Sequence, residues 1–299
     1  MTLAVIYIAR GAGAGLPAVE AFLDAYQRYP SGYPHRLVVA TKGWEGVSGL
    51  PDVIARLREI GADTVTLPDD GYDWGAYMRI IPDLKEDWLC LLNTHSRPLV
   101  ENWLALLRQP ASTPGVGAVG ATGSWGSMSV TWPLFESNFS RLALYPARLV
   151  LGVFRLCCNL GSFPSFPNPH LRSNAILMSR ELFMSFCSNH DIPRSKRDAH
   201  ILESGRTGLT AYLNSLGLRV QVAGADGGVY DPETWIKGGT FRVPGQPNLL
   251  VSDNQTRYYQ QANNLLKRRL ENAAWGVALT NLSNSQKTLK TPPSENISS

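Results

Sequence analysis

An apolar segment that ends in a cluster of polar side chains constrains the fold of this chain more than any other feature. Trp88–Leu92 is a short continuous apolar run, the pattern of a central strand covered on both faces. Residues 93–97 follow at its carboxyl end as Asn, Thr, His, Ser and Arg, and residues 99–108 predict a helix that returns the chain. In open α/β sheets, ligands bind at the carboxyl ends of the strands. The segment therefore predicts a buried strand that opens into a binding site.

Segments with strand and helix patterns alternate through the first part of the chain. Short apolar runs typical of buried strands occupy residues 3–9, 36–40, 64–67 and 116–121. Between them, residues 16–29 and 51–60 place apolar side chains at helical spacing. Strands that alternate with helices form parallel sheets through right-handed crossovers. We therefore predict an α/β fold, a Rossmann-like and mostly parallel sheet flanked by helices.

The regular alternation stops after residue 121 and resumes near residue 170. Strand patterns return at residues 170–178 and 219–223, and helix patterns at 180–188 and 263–275. After residue 280 the chain is rich in Ser, Asn, Lys and Pro, a composition typical of disorder. We expect a single domain over residues 1–280 and a disordered tail over 281–299.

Residues 125–170 are expected to form an irregular insertion rich in aromatic residues and proline. Within them Arg141, Arg148 and Arg155 recur every seven residues among apolar side chains. On a helix these arginines would line one side, which fits either a lipid interface or a helix packed on the core with a solvated edge. The insertion would then face an acceptor or a membrane.

Charge and cysteine content exclude several classes of protein. The 299 residues include 28 Lys and Arg against 24 Asp and Glu, a net charge of +4 that suits a phosphate-bearing ligand or an anionic membrane surface. This excess is far too small for a nucleic-acid-binding protein. The four cysteines lack the spacing of a zinc ribbon, and neither a signal peptide nor a long apolar run is apparent. We predict a cytoplasmic protein that binds no nucleic acid, with a peripheral contact at the inner face of the cell membrane left open.

The glycine-rich loop at residues 11–15 invites comparison with dinucleotide-binding enzymes. Glycines after a first strand can let the backbone approach a pyrophosphate. Here the third glycine of G-x-G-x-x-G would fall at Leu16, and the next strand ends in Thr41 and Lys42 without the acidic residue that holds a ribose. The sequence therefore argues against a dehydrogenase. It also lacks the H-E-x-x-H, P-loop and G-x-S-x-G motifs, which excludes the usual zincin, P-loop NTPase and α/β-hydrolase sites.

Asp73 and two later polar segments are further candidates for a site. Asp73 begins a short predicted helix, so it could cap that helix or face the same crevice as His95. Residues 194–217 gather Arg, Asp, His and Glu. Residues 235–259 contain many amide and guanidinium groups, which suit contacts with sugar or phosphate.

Four motifs, taken together and in order, resemble one family of enzymes. They are Asp73-Trp-Gly-Ala-Tyr77, then Leu91-Leu-Asn-Thr-His-Ser-Arg-Pro-Leu99 with Trp103, then Val116-Gly-Ala-Val-Gly-Ala-Thr122, and finally Arg172-Ser-Asn-Ala-Ile-Leu-Met-Ser-Arg-Glu-Leu182. Over residues 3–224 the chain resembles the rhamnan-synthesis and related family-two-like glycosyltransferases of GT-A fold. The resemblance implies transfer of a sugar, with inversion, from a nucleotide diphosphate sugar to a glycan or lipid-linked acceptor in cell-surface polysaccharide assembly.

The resemblance also implies which residues bind the donor. They are Arg10, Asp73, Asn93, His95, Arg97 and Asn174. In such enzymes an Asp-x-Asp after the fourth strand holds a divalent metal ion on the diphosphate, and Asn93, Thr94 and His95 stand at that place here. His95 and Asn93 would then be the ligands of Mn²⁺ or Mg²⁺. Because the first carboxylate is absent, Arg97 is an alternative group to offset the diphosphate charge.

By the same resemblance, the general base is an Asp of a Glu-Asp pair at the start of a late helix. The matching residues are Glu203 and Ser204. Because a serine cannot act as the base alone, Glu203 is the first candidate and Asp198 the second. Either carboxylate could instead be a helix-start charge that complements the helix dipole.

Two other functions stay open at this point. The missing acidic pair and Ser204 also suit a catalytically degenerate domain that binds a nucleotide, a glycan or a partner protein. A nucleotide-dependent enzyme outside sugar transfer is the third hypothesis, which the incomplete dinucleotide pattern disfavours. The sequence leaves the donor sugar, the acceptor and the oligomeric state open.

Overall fold

The computed structural model describes residues 1–13, 15–129 and 159–276. The arginine stripe at Arg141, Arg148 and Arg155, most of the 125–170 insertion and the 281–299 tail lie outside the described residues. None of the described helices is both long enough and apolar enough to cross a membrane.

Strands and helices alternate along the described chain. The strands are β1 Leu3–Arg10, β2 Arg36–Lys42, β3 Asp63–Thr66, β4 Trp88–Leu92, β5 Arg97–Pro98, β6 Val116–Gly120, β7 Gly123–Ser124, β8 His170–Leu171, β9 Ile176–Ser179, β10 Arg219–Ala223, β11 Val229–Tyr230 and β12 Val251–Ser252. The helices are α1 Gly15–Arg28, α2 Leu50–Glu59, α3 Tyr72–Ile80, α4 Trp103–Ala111, α5 Arg180–Cys187, α6 Lys196–Ser204, α7 Leu209–Ser215, α8 Trp235–Gly238, α9 Asn254–Gln261 and α10 Asn264–Trp275.

A mixed sheet of eight strands forms the centre of the described structure, in the order β11, β10, β6, β9, β4, β1, β2, β3. β1 pairs in parallel with β2 and β4, β2 with β3, and β6 with β10. β9 is antiparallel to both β4 and β6, and β11 is an antiparallel edge strand. The expected α/β fold with a mostly parallel sheet, which the resemblance to GT-A enzymes also implies, is confirmed.

Alternate residues of β1 enter two hydrophobic cores, one on each face of the sheet. Ile6 and its like-facing neighbours pack with apolar side chains of α3, α5 and α7. Tyr7 and the residues that share its face pack with α1, α2 and α4. Because side chains alternate across a strand and both faces are covered, the strands are continuous apolar runs in the sequence.

The helix expected over residues 99–108 begins only at Trp103. The backbone N–H of Leu99 donates to the carbonyl of Leu250 at 3.1 Å, and β5 pairs with β12 in an antiparallel ribbon. Asn102, with φ at 61°, turns the chain into the helix. The expectation was wrong for the first residues because a partner distant in sequence captures them.

The single strand expected over residues 170–178 is divided in two. His170–Leu171 pairs with Gly123–Ser124 in a separate ribbon, and Ile176–Ser179 then enters the main sheet. The Leu171 N–H donates to the Thr210 hydroxyl at 3.0 Å. The intervening residues form a loop at the carboxyl end of β4 and contribute to the site described below.

Gly123 should not tolerate even a methyl group. A Cβ atom there would lie 2.4 Å from Cε3 of Trp235, whose side chain is fully buried. We expect Gly123→Ala to lower the free energy of unfolding by about 1–3 kcal/mol, the usual cost of overpacking. The measurement is urea unfolding followed by tryptophan fluorescence.

Gly161→Ala is the matched control, because a Cβ atom there meets nothing within 4 Å. Its stability should equal or slightly exceed that of the parent protein. Equal stabilities of the two variants would contradict the tight packing of Gly123 against Trp235.

Candidate active site

Two adjoining cavities open at the carboxyl ends of β1, β2 and β4, where the sequence predicted a site. The larger cleft, of about 1100 Å³, is lined among others by Arg10, Lys42, Asp69, Tyr72 and Arg194. The smaller cavity, of about 600 Å³, is lined among others by Asn93, His170, Arg172, Glu203, Arg242 and Asp253. Asp73 and His95 line both. These two side chains mark the place where the contents of the two cavities would meet.

Two cations project from the ends of neighbouring strands into the larger cleft. Arg10, the last residue of β1, binds Asp69 through Nε–Oδ1 and Nη2–Oδ2 contacts of 2.7 and 2.8 Å. This paired hydrogen bond holds the pKa of Asp69 below its ordinary value. Lys42, the last residue of β2, is buried and donates from Nζ to the carbonyls of Asp70 and Tyr72 at 2.6 and 3.0 Å. Both cations are held in place on rigid strand ends.

Asp73 is a half-buried carboxylate at the junction of the two cavities. It lies in the first turn of α3, but Gly71 occupies the cap position and no side chain caps this helix. The Asp73 carboxylate forms neither an ion pair nor a hydrogen bond within the described parts of the chain. Burial raises the pKa of Asp73 to about 6, an effect that Glu203 reinforces and that Lys42 and Arg10 oppose. Asp73 is therefore ionised at neutral pH yet readily takes up a proton.

The loop after β4 is fixed by its own polar side chains. The His95 N–H donates to Asn93 Oδ1 at 2.8 Å, and the Asn93 N–H donates to Ser96 Oγ at 3.0 Å. Beneath the loop, the buried Tyr7 hydroxyl donates to the Thr94 carbonyl at 2.9 Å. These bonds present the His95 side chain at the junction of the cavities.

The His95 ring is half-buried and makes no hydrogen bond to any described residue. Burial, together with the positive charges of Arg257 and Arg97, lowers the pKa of His95, and Asp253 only partly opposes this effect. Arg257 also donates from Nη1 to the His95 carbonyl at 3.2 Å. The ring is neutral at neutral pH and adds no positive charge to the site.

The ligand pair predicted from the sequence, Asn93 and His95, does not fit a divalent metal ion. Asn93 Oδ1 accepts the His95 N–H and lies 3.1 Å from Ser96 Oγ, so this oxygen is already engaged. The guanidinium groups of Arg97 and Arg257 oppose a further cation beside His95. Across residues 1–13, 15–129 and 159–276, no group of three His, Cys, Asp or Glu side chains could hold a metal ion.

Two of the predicted donor-binding residues do not line these cavities. Asn174 is fully buried: its Nδ2 donates to the Val251 carbonyl at 2.8 Å, and its Oδ1 accepts the Thr122 hydroxyl at 2.6 Å. Its own carbonyl accepts the Ser96 hydroxyl. Asn174 therefore joins three segments of the fold and has no polar group left for a donor. Arg97 is half-buried on β5, and its Nε atom is buried without a hydrogen-bond partner.

Glu203 lines the smaller cavity, but from the last turn of α6 and not from a helix start as expected. Its Oε1 accepts the Ser173 N–H at 2.8 Å, and its Oε2 lies 3.9 Å from His200 Nδ1. Burial alone would raise the pKa of Glu203, but His200 and the positive charge of Arg172 lower it to about 2. A carboxylate stabilised to this extent is a weak base at neutral pH.

Asp198, the second candidate base, closes the amino end of α6. Its Oδ2 accepts the N–H groups of Ser195 and Arg194 at 2.9 and 3.1 Å, and its own N–H donates to Ser195 Oγ at 3.2 Å. This reciprocal capping box is the helix-start role that the sequence left open. Asp198 lines a third cavity, of about 260 Å³, which adjoins the larger cleft at Asp191 and Arg194. Asp198 does not line either of the cavities that meet at Asp73 and His95.

Several charged residues that line the two cavities were not predicted as site residues, among them Lys42, Arg172, Arg242 and Asp253. For Lys42, its position directly after a predicted buried strand was the sequence feature that could have indicated a site residue. Arg172 opens a motif of the resemblance, and the last two lie in the 235–259 segment whose amide and guanidinium content indicated ligand contacts. Gln246 and Asn248 of that segment instead bind backbone carbonyls, those of Thr256 and Gly238.

No model of a known protein family matches the chain, and no curated protein matches it. Among solved structures, it is similar to glucosyl-3-phosphoglycerate synthase from Mycobacterium tuberculosis in complex with Mn²⁺, UDP and glucosyl-3-phosphoglycerate, at 19% identity and a TM-score of 0.36. That match covers 62% of this chain and only 58% of the length of the synthase chain.

Two further solved structures are similar to more of the chain. A mannosyltransferase from Pyrobaculum calidifontis in complex with GDP-Man and Mn²⁺ is 13% identical, with 97% of this chain and 76% of that one covered and a TM-score of 0.45. A CMP:2-keto-3-deoxy-manno-octonic acid synthetase complexed with CTP is 10% identical, with 74% and 89% covered and a TM-score of 0.41. Since all three scores are below 0.5, the function has to be inferred from the site's own residues.

Asn174→Ala should strongly destabilise the protein. The truncation leaves the Val251 carbonyl and the Thr122 hydroxyl without their partner in a buried position, so we expect a loss of about 2–4 kcal/mol in the free energy of unfolding. Urea unfolding measures this loss. Asn189→Ala removes an exposed amide that donates to the Ser185 carbonyl, and it should change stability by less than about 0.5 kcal/mol. Similar stabilities of the two variants would contradict the role assigned to Asn174.

Proposed function

We propose that the protein transfers a sugar from a nucleoside diphosphate sugar to a hydroxyl group of an acceptor. In this step the acceptor oxygen forms a bond to the anomeric carbon, and the bond from that carbon to the diphosphate oxygen breaks. The hydroxyl proton passes to a base, and the nucleoside diphosphate leaves. The larger cleft is assigned to the donor and the smaller cavity to the acceptor.

The observation that supports this proposal best is the junction of the two cavities at Asp73 and His95. A transferase must hold two substrates with the reacting atoms in contact, and two cavities that share a wall provide that arrangement. The shared wall contains a carboxylate without a hydrogen-bond partner among the described residues. It lies at the carboxyl ends of the strands, where α/β sheets bind their ligands.

Side-chain cations of the larger cleft are suited to the diphosphate. Arg10 and Lys42 are the cations that influence Asp73 most, so they lie next to the place where the sugar would be transferred. Arg10 is 43% exposed and can exchange Asp69 for a phosphate oxygen. We therefore assign neutralisation of the leaving diphosphate to these side chains.

Asp73 is the base that fits this step. Its pKa of about 6 lies near neutral pH, where a carboxylate is both ionised and able to accept a proton in the transition state. Glu203, with a pKa of about 2, is a weaker base and is held by the Ser173 N–H and the neighbouring His200. Glu203 is then a positioning residue, because it holds the Ser173 backbone in the wall of the acceptor cavity.

The finer features of the proposal come from the resemblance to family-two-like glycosyltransferases. They are inversion at the anomeric carbon, a hexosyl donor, and a glycan or lipid-linked acceptor in cell-surface polysaccharide assembly. A binding module without turnover is the alternative, and it predicts nucleotide binding without transfer.

A thermal-shift screen tests the donor site. We expect one of the UDP-, GDP- or dTDP-sugars at 100 times its dissociation constant to stabilise the protein by about 2.7 kcal/mol. Because side-chain cations are assigned to the diphosphate, the shift should persist in EDTA and change little with Mn²⁺. A shift that appears only with Mn²⁺ would contradict this assignment, and no shift with any donor would contradict the proposed function.

Asp73→Asn should abolish transfer while donor binding is retained. Removal of a general base typically costs about 10²–10⁴ in rate. In the parent protein the rate should fall as the pH decreases through about 6, because protonation removes the base. The measurements are the release of nucleoside diphosphate across pH 5–8 and the thermal shift with the donor.

Protein stability provides the control for folding. The pKa of Asp73 is raised above its unfolded value of 3.8, so ionisation destabilises the folded state and stability decreases as the pH rises from about 4 to 6. Asp73→Asn should therefore be at least as stable as the parent at pH 8. Asp24→Asn, which changes an exposed carboxylate on α1, should leave transfer unchanged. Full activity of Asp73→Asn would remove Asp73 from the reaction.

A further inference from the structure

The smaller cavity contains an arginine without a carboxylate partner. Arg242 donates from Nη2 to Gln255 Oε1 at 2.9 Å, and its buried Nε atom has no hydrogen-bond partner among the described residues. It forms no ion pair with any residue of the described ranges. A charge removed from water without a counter-charge is unfavourable unless a ligand provides one.

A second arginine adds to this positive charge. The guanidinium carbons of Arg172 and Arg242 lie 4.2 and 4.9 Å from the centre of the same ring, that of Phe241. Arg172 pairs with Asp253 at 3.2 Å, and the other oxygen of Asp253 accepts the Thr256 N–H at 2.8 Å. Burial and the charge of Arg172 lower the pKa of Arg242 to about 9, although Asp253 opposes this shift. At neutral pH, two guanidinium groups therefore share one carboxylate.

The backbone fixes Arg242 in this unfavourable place. Arg242 and Gln246 have φ angles of 44° and 43°, in the left-handed region that residues other than glycine rarely adopt. The Arg242 N–H donates to Gln246 Oε1 at 2.9 Å, and Gln246 Nε2 donates to the Thr256 carbonyl at 3.1 Å. Strain of this kind is concentrated at binding and catalytic sites.

Other titratable groups of the smaller cavity do not neutralise the excess positive charge of Arg172 and Arg242. Glu203 is held by the Ser173 N–H, and Asp73 lies at the junction with the larger cleft. His170 is buried, with Nδ1 2.8 Å from the Asn168 carbonyl, and burial lowers its pKa so that the ring is neutral. Lys196 is exposed on the cavity wall and adds a further cation.

We propose that the smaller cavity binds an anionic group of the acceptor, a phosphate or a carboxylate, between Arg242, Arg172 and Lys196. Guanidinium groups bind two oxygens of such an anion at once, which suits a pair of arginines on one wall. The role of acceptor rests on the sugar transfer proposed above, whereas the anion site rests only on these residues. The donor diphosphate has the same chemistry, so the test has to separate the two sources.

Isothermal titration calorimetry with inorganic phosphate, on the full chain with and without saturating UDP, tests the proposal; if UDP does not bind, GDP or dTDP takes its place. We expect phosphate to bind equally well when UDP fills the larger cleft. Arg242→Gln should weaken phosphate binding by at least about tenfold, the effect of losing a hydrogen bond between charged groups. A parallel titration with acetate shows whether a carboxylate is accepted as well as a phosphate.

Variants outside and at the edge of the cavity complete the test. Arg219→Gln removes an exposed arginine at the opposite end of the sheet and should leave phosphate affinity unchanged. Arg242→Gln should unfold at a higher temperature than the parent when phosphate is absent, because it removes an uncompensated charge. If that variant does not fold, Lys196→Gln should still weaken phosphate binding by about threefold.

The possible failures are distinguishable. Loss of phosphate binding on addition of UDP would assign the anion to the donor site and overturn the proposal. Unchanged phosphate affinity in Arg242→Gln and Lys196→Gln would overturn it as well. If UDP, GDP and dTDP all fail to bind while phosphate binding depends on Arg242, the anion site stands and the proposed sugar transfer fails.

Discussion

The arrangement of the site depends on the buried amide of Asn174. Its side chain binds Thr122 at the end of β6 and Val251 in β12, and its backbone carbonyl binds Ser96 in the loop after β4. The geometry of these three segments is therefore set by one side chain that is shielded from water. Because a buried amide without partners is costly, the segments cannot separate without a large loss of free energy. The loop that presents His95 is rigid for this reason.

The carboxylates near the site differ in the ion pairs and hydrogen bonds that their surroundings provide. Asp69 is bound by Arg10 and Asp253 by Arg172, so each is neutralised within the protein. Glu203 is stabilised by a backbone N–H and by neighbouring cations. Asp73 alone among these four accepts no hydrogen bond from the described residues, and burial raises its pKa to about 6. Residue type does not distinguish these groups, whereas the contacts of each one do.

The sequence predicted the strands well because a strand buried on both faces is an apolar run with polar ends. The bounds of Trp88–Leu92 and Arg219–Ala223 agree with the structure. The direction of β9 could not be predicted, since an apolar run has the same pattern in parallel and antiparallel strands. Position at a strand end likewise predicted that His95 faces the crevice, and His95 lines both cavities. Asn174 was misassigned because its partner Val251 is distant in sequence, and Asp198 because capping depends on local backbone geometry.

The place of β9 in the sheet has a consequence for the order in which the chain can assemble during synthesis. Strands β1 to β4 precede it and can pair with one another as soon as they leave the ribosome. Among the described strands, β6 in contrast pairs with β9 and β10 alone, both of which are made later. The first half of the sheet can therefore form early, while β6 waits for Ile176–Ser179 and Arg219–Ala223. Assembly of the second half of the sheet is a late event, because it requires contacts between residues that are distant in sequence.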